Sequence, residues 1–379
     1  MDFALTKEQE MVRTVMRKFA LAEVQPLAAE IDEQERFPRE TIEKMARCGM
    51  LGLPYPKEWG GAGGDFLSYT IAVEEISRVC AATGDIYSGH TSLCAGPIYT
   101  FGSEEQKKRY LPALLKGEKL GAFCLTEPNA GTDAAGQQTH AELHGDHWII
   151  NGSKRFITSA GETDVHIVMA MTDPSKKTRG ISAFIVDRDS PGFVVGKKEH
   201  KMGIRGSTTG ELIFENCRVP KENILGEPGH GFKIAMQTLD GGRIGIAAQA
   251  LGLAQGALDE SVKYSKERKQ FGKTISEFQG LQWILADMAT RIEAARHLVY
   301  NAAWRKEKGL KVTREAAMAK YFASETAMEV ATKAVQIHGG YGYTREYPVE
   351  RMMRDAKITE IYEGTSQVMQ MVIASNLLA

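Results

Sequence analysis

A mainly helical chain with a small β domain set in its middle is what the sequence predicts, and three observations carry the prediction. Residues 1–118 repeat apolar side chains at helical spacing. Residues 119–225 break into short runs of β-prone residues divided by turn formers. From 226 to 379 long amphipathic stretches return. With 379 residues the chain exceeds one small core, and the order helical, β, helical sets two helical units around a β domain.

The elements follow in order. Thr6 with Gln9 fits a capping box, and Val12, Val15, Met16 and Phe19 then recur at helical spacing. Pro38 opens a second helix that ends at Gly49. The Gly- and Pro-rich run 52–64 reads as a loop, and 65–82 as helix again. Ser103 with Gln106 is another capping box, heading a helix that reaches Lys116. In the β region, residues 147–150 precede Asn151-Gly152, a turn dipeptide, and 165–171, 181–186 and 211–214 read as further strands. Beyond Gly229, helical stretches over 281–308, 314–338 and 349–378 are punctuated by Gly272, Gly309 and the Gly339-Gly340 pair. No short repeat is visible, which speaks against a solenoid.

Composition excludes several classes. Lys and Arg number 47 against 48 Asp and Glu, so a net charge of −1 gives no general pull toward nucleic acid or anionic membrane. The five cysteines (Cys48, Cys80, Cys94, Cys124 and Cys217) form no CxxC and are odd in number, which reads as buried thiols in a reducing compartment. Nine histidines without an HExxH or HxH pairing give no metal site. The opening residues 1–6 lack a basic region followed by an apolar run, so no leader and a cytoplasmic, bacterial-type location are expected. The longest apolar stretch, 244–253, is interrupted by Gly245, Gln249 and Gly252 and does not suit a bilayer span.

Six segments carry residue types suited to chemistry. Residues 123–133, with Phe123, Leu125, Thr126 and Thr132, join hydroxyls to a tight turn that can hold a phosphate or the edge of a planar ring; an ordinary Gly/Asn turn explains it too. Phe156 and Thr158 stand at alternate strand positions, on one face, as in any half-buried strand. Asp240-Gly241-Gly242-Arg243 puts Arg243 in what reads as a first helical turn, where a cation is disfavoured, pointing to function or to an ion pair with Asp240. Arg268 and Phe271, in a basic stretch, suit phosphate and ring contacts or a solvated helix end. Gln336, Gly339 and Gly340 close a long helix, where a C-cap is the simpler account. Glu363 lies in a break between apolar helical stretches, where partial desolvation would raise its pKa and make it a better base; a surface glutamate is the alternative.

In this order the segments resemble the acyl-CoA dehydrogenase family over nearly the whole chain. The resemblance rests on LTEPNAGTD (125–133), KRFITSAG (154–161), KMGIRGSTTGELIFENCRVP (201–220), DGGRIGIAAQALG (240–252), ERKQFGK (267–273), QIHGGYGYTREYP (336–348) and RDAKITEIYEGTSQV (354–368), and looks nearest to the short-chain, butyryl-CoA type, including enzymes of anaerobic bacteria. It implies an N-terminal helical domain over 1–118, a small β-barrel-like middle domain over 119–225 and a C-terminal four-helix bundle over 226–379. It also implies a homotetramer, a dimer of dimers, with one FAD per subunit.

What the resemblance implies for residues is specific. Phe123, Leu125, Thr126 and Thr132 would wrap the flavin, with Thr132 also near the substrate. Phe156 and Thr158 would flank the isoalloxazine. Arg268, Phe271, Gln279, Gln336, Gly339 and Gly340 would reach the neighbouring subunit's FAD, and Thr365 and Gln367 the adenosine diphosphate part. Asp240, Arg243 and Gly364 would serve the substrate. Glu363 would take the α-proton of an acyl-CoA while hydride leaves Cβ for the flavin, and its backbone N–H would face the developing enolate oxygen. Electrons would pass to an electron-transfer flavoprotein. Thr132 stands where many relatives have Ser, and Phe156 where some have Trp; the hydroxyl and the stacking ring are kept. Some family branches carry the base beside Arg243, but here the neighbours are Gly241 and Gly242, which cannot act. Three other readings stay open: an oxidase on the same scaffold, a dehydrogenase of branched or medium-chain acyl-CoA, and a helical assembly protein without the chemistry, whose sign would be loss of the base or the flavin contacts.

Overall fold

The computed structural model describes residues 4–378; residues 1–3, which bear on the expected absence of a leader, and Ala379 lie outside it. The chain opens on helix α1 (Lys7–Phe19), held by the Thr6–Gln9 capping box. A π-turn over Ala20–Val24 leads into α2 (Ala28–Glu33), and α3 (Arg39–Arg47) starts behind Pro38 and is released at Gly49, whose φ is +68°. The stretch expected as one helix over 65–82 is two. α4 (Phe66–Ser77) is capped by the Asp65 carboxylate, and α5 (Ala81–Ser88) restarts after extended Cys80. α6 (Gly96–Phe101) and α7 (Glu104–Leu115), with its Ser103–Gln106 capping box, complete this region.

The middle region is an eight-stranded sheet of β1 (Gly121–Cys124), β2 (His140–His144), β3 (His147–Thr158), β4 (Val165–Met171), β5 (Ile181–Asp187), β6 (Phe193–Lys198), β7 (Thr209–Pro220) and β8 (Ile224–Leu225). Its order is β6-β7-β3-β2-β4-β5-β8, with β1 parallel to β4. Asn151-Gly152 does not turn the chain. It sits inside β3 at a register shift against β7, and Gly152 (φ +140°) is required because a Cβ there would come 2.5 Å from the Thr139 hydroxyl. The reversal is made six residues before Asn151, between β2 and β3, where Gly145 has φ +62°.

α8 (Gly231–Glu267) is 37 residues long. A hairpin of β9 (Lys269–Gln270) and β10 (Lys273–Thr274) follows, then α9 (Gln279–Glu307), α10 (Thr313–His338), α11 (Val349–Thr359) and α12 (Ser366–Leu378). The basic stretch at 268–273 therefore begins as a helix end, with Arg268 the C-cap of α8, and runs on as this hairpin, turning on Phe271 and Gly272 with φ of +54° and +79°. Arg243 lies well inside α8, so the unfavourable first-turn placement read from the sequence does not arise. α8 is buried on nearly every side, and small residues let it close on α4: Cβ atoms at Gly252 and Gly256 would come within 2.1 Å of the Glu74 and 2.0 Å of the Arg78 carbonyl oxygen. One apolar cluster runs from Met16 through Tyr69 and Ile76 to Ala247, Val299, Ala331 and Ala356, so both helical regions share a core. The architecture is the helical, β, helical arrangement predicted. Among the described residues no helix is long and apolar enough to cross a membrane.

Candidate active site

The chain breaks between α11 and α12, and α10 staples both sides of the break. Ser324 donates to the Thr359 carbonyl at 2.8 Å, and four residues before it, on the same face, Lys320 Nζ donates to the Gly364 carbonyl at 2.6 Å. The Ser366 amide closes the loop onto the Glu360 carbonyl at 2.9 Å. Inside it Glu363 and Gly364 take positive φ, +52° and +102°. Left-handed backbone is costly for a glutamate and persists only where its surroundings dictate it. Tyr362 anchors the other side, its hydroxyl donating to Gln249 of α8.

That conformation turns the Glu363 side chain inward. Its Oε2 is buried and has no hydrogen-bond partner among the described residues, and its backbone N–H likewise finds no acceptor there. Desolvation, with a smaller push from buried Asp85, raises the carboxyl to about 8, against the pull of Arg243 and Lys320. Asp85 is itself raised, to about 6, chiefly by burial, although the Ser207 hydroxyl donates to it at 2.7 Å. Room for the carboxylate comes from Gly242: a Cβ there would stand 2.2 Å from Glu363 Oε2 and 2.6 Å from Leu93. Arg243 is 6% exposed and pairs with Asp240 at 2.9 Å, and Thr313 donates to the second Asp240 oxygen at 2.7 Å. A long 3.5 Å contact runs from Arg243 Nε to the Glu363 carbonyl. Glu363, Gly364, Asp240 and Arg243 are thus one cluster.

The residues expected around a cofactor fall into separate groups. Phe156 is 61% exposed with φ +56°, at a second register shift of β3, and Thr158 lies two residues on. The 89–95 segment joins this place to the carboxylate: a Cβ on Gly89 would touch Thr158 at 3.7 Å, and Leu93 faces Gly242. Phe123 and Leu125 are half-buried against an apolar cluster, Thr126 is half-buried and Thr132 exposed. Their loop is clamped by Lys154, which is fully buried and donates to the Leu125 carbonyl, Glu127 and Gln137 at 3.1, 2.7 and 3.1 Å. Arg268, Gly339 and Gly340 share a cleft of about 500 Å³ with Tyr264, His338 and Tyr341. Phe271 stands at the hairpin tip, 92% exposed, and Gln279 and Gln336 are exposed. Thr365 accepts from the Val368 amide at 3.3 Å, capping α12, and Gln367 is exposed. A larger cleft, of about 860 Å³ between α1, α8 and α11, shares Tyr264 and His338 with the smaller one but holds none of the residues expected around a cofactor. Among the described residues no cluster of His, Cys, Asp or Glu is placed to hold a metal ion.

Sequence reasoning passed over Lys154, Glu127, Asp85 and Lys320. Lys154 lay in a quoted segment, and its alternation with Phe156 was the available signal. Lys320 left none, since a charged residue within an amphipathic helix reads as solvated, and Asp85 fell beyond the helix read over 65–82.

Three family models match the chain: acyl-CoA dehydrogenase N-terminal domain over residues 6–118, middle domain over 122–217 and C-terminal domain over 229–378. A short-chain specific acyl-CoA dehydrogenase of Clostridium acetobutylicum is 62% identical over 377 residues, covering 100% of both chains. Among solved structures, butyryl-CoA dehydrogenase from Megasphaera elsdenii superposes with a TM-score of 0.98 at 52% identity, covering 100% of both chains. A chain from a structure described as the electron transferring flavoprotein of Acidaminococcus fermentans gives 0.99 at 58% identity, again covering 100% of both.

Proposed function

The chain belongs to the acyl-CoA dehydrogenase family, and from that premise we propose that it oxidises a short-chain acyl-CoA of the butyryl type to the trans-2-enoyl-CoA, with FAD as cofactor and an electron-transfer flavoprotein as acceptor. The observation that carries the reading is the Glu363 carboxylate, desolvated, unpartnered at Oε2 and raised to about 8. A base of that strength suits a weak carbon acid at neutral pH. Glu363 takes the α-proton. Its free backbone N–H is the donor for the thioester oxygen, where enolate charge builds. Arg243, fixed by Asp240, holds the Glu363 carbonyl and helps to seat the substrate together with Gly364 and Thr132.

The flavin-side residues fit an FAD. An exposed Phe156 on a forced backbone beside Thr158 offers a ring face and a hydroxyl, and Lys154 fixes the loop of Leu125, Thr126 and Thr132. Phe123 lines that loop's base. FAD, when bound, supplies the acceptor for the hydride that leaves Cβ. Thr365 and Gln367 meet its adenosine diphosphate part, while Arg268, Phe271, Gln279, Gln336, Gly339 and Gly340 belong to the site of the neighbouring subunit in a homotetramer built as a dimer of dimers. The domain limits 1–118, 119–225 and 226–379 go with this reading. We place the enzyme in the cytoplasm, supported by five cysteines that are all unpaired.

Glu363→Gln tests the centre of this. The variant should hold FAD normally and lose dehydrogenation by about 10²–10⁴-fold or more. Near-normal turnover would sink the assignment. Anaerobic flavin bleaching with butyryl-, octanoyl- and palmitoyl-CoA reads the chain length, and failure to bleach with butyryl-CoA counts against the short-chain substrate. Peroxide release under air would point to an oxidase instead.

A further inference from the structure

Lys320 is 0% exposed on the inner face of α10, and among the described residues its ammonium makes one hydrogen bond, to the Gly364 carbonyl at 2.6 Å. Four residues on, Ser324 holds the Thr359 carbonyl with a neutral hydroxyl at 2.8 Å. Securing a backbone carbonyl at this break therefore does not require a charge. A buried ammonium carries a heavy desolvation penalty unless an anion answers it. The carboxylates acting on Lys320 through space are Glu363 and Glu360.

We propose that Lys320 is a positioning residue for Glu363: its ammonium pins the base loop through the Gly364 carbonyl and supplies the positive charge that keeps a desolvated carboxylate available as an anion. The proposal rests on the reading of Glu363 as the base. The groups facing Glu363 are Tyr69 of α4, Asp85 of α5, Arg243 of α8, Lys320 of α10 and the adjacent Tyr362. Asp85, itself faced by Lys201, adds a like charge, and the Arg243 charge is already shared with Asp240 at 2.9 Å. Of the two cations, Lys320 is the one without an ion pair of its own among the described residues. Burial lowers the ammonium itself to about 8, with Glu363 pulling it back up. The two groups thus stabilise each other's charged forms across one buried space.

The test is infrared difference titration of the flavin-loaded protein, with Glu363→Gln subtracted to isolate the carboxylate band. Lys320→Met should move the Glu363 midpoint up by about one unit or more, and the acid limb of kcat/KM should move with it. Lys320→Arg, which keeps the charge, should leave the midpoint near that of the parent. An unmoved midpoint in Lys320→Met overturns the proposal, even if stability and turnover fall, because packing alone then explains the residue. Should Lys320→Met not fold, Lys320→Gln keeps a donor for Gly364 and removes the charge, and the same shift is required of it. The band reports the carboxylate whether or not it is the base. Retained turnover in Glu363→Gln would therefore sink the base reading alone, and an unmoved midpoint the role of Lys320 alone.

Discussion

The base loop and the flavin margin are built to different degrees by the same chain. Around Glu363 the supporting groups all come from within: Lys320 and Ser324 from α10, Gln249, Asp240 and Arg243 from α8, and Asp85 from α5. At the margin the surface is left open, with Phe271 only edge-on to Phe278 and Arg268 laid over the Tyr341 ring. Phe271 is 92% exposed, and a Cβ added at Gly339 or Gly340 would meet no atom within 4 Å. Proton abstraction needs a rigid, desolvated group, which one fold can prepare. In the proposed arrangement a second copy would close the cofactor site, which would account for residues left open on the first.

The sharpest break of that contrast is at two adjacent glycines. Gly242→Ala places a methyl 2.2 Å from Glu363 Oε2, so the carboxylate must move; a displacement of about 1 Å can cost about 10²-fold in rate. Gly241→Ala meets only the flexible end of Lys306 at 3.1 Å and should be nearly silent. Both exchanges favour the helix by about 1 kcal/mol, which offsets part of the crowding of about 1–3 kcal/mol at Gly242, so the unfolding free energy of each variant is measured beside its rate. Steady-state kcat/KM and flavin absorbance of the pair decide it. Equal activities would show that Gly242 does not make the room for the base.

A smaller effect is expected at the margin. Phe271→Ala should leave the unfolding free energy of flavin-free protein within about 0.5 kcal/mol of parent, as for any exposed side chain. It should weaken FAD retention about tenfold if the ring covers a neighbour's cofactor. Equilibrium dialysis of FAD measures this. Unchanged retention would place the hairpin outside the flavin site.

Legibility followed the same division. Capping boxes at Thr6 and Ser103 and the apolar periodicity of the later helices were readable because they are local. Arg243 was misplaced because Gly241 and Gly242 read as a helix start, whereas both lie inside α8, where Gly242 serves close packing. Asn151-Gly152 read as a turn because its dipeptide chemistry suits one; the bulge that needs Gly152 depends on Thr139, which leads into β2. Glu363 was marked by its place in a helix break. Asp85 and Lys320 act on it across four helices, and no single-chain pattern encodes that meeting.

Protonation offers the finest test of how closed the base loop is. The folded chain raises Glu363 from 4.5 to about 8, so between those values it binds more protons there than the unfolded chain does. Stability must then fall as pH rises through this window, because the folded state is made to bury a charge that the unfolded state hydrates. Buried His90 and His166 act oppositely: each is lowered from 6.5 to about 4 by burial, so stability from their neutral forms is lost as pH falls below about 6.5. Comparing parent with Glu363→Gln cancels both histidines, since they are present in each. Melting temperatures at about pH 5.5 and about pH 8.5 should show the Gln chain gaining on the parent at the higher pH, by about 2–4 °C for each kcal/mol. A gap that stays constant with pH would mean that water reaches the carboxylate, and the base loop would then be as open as the margin.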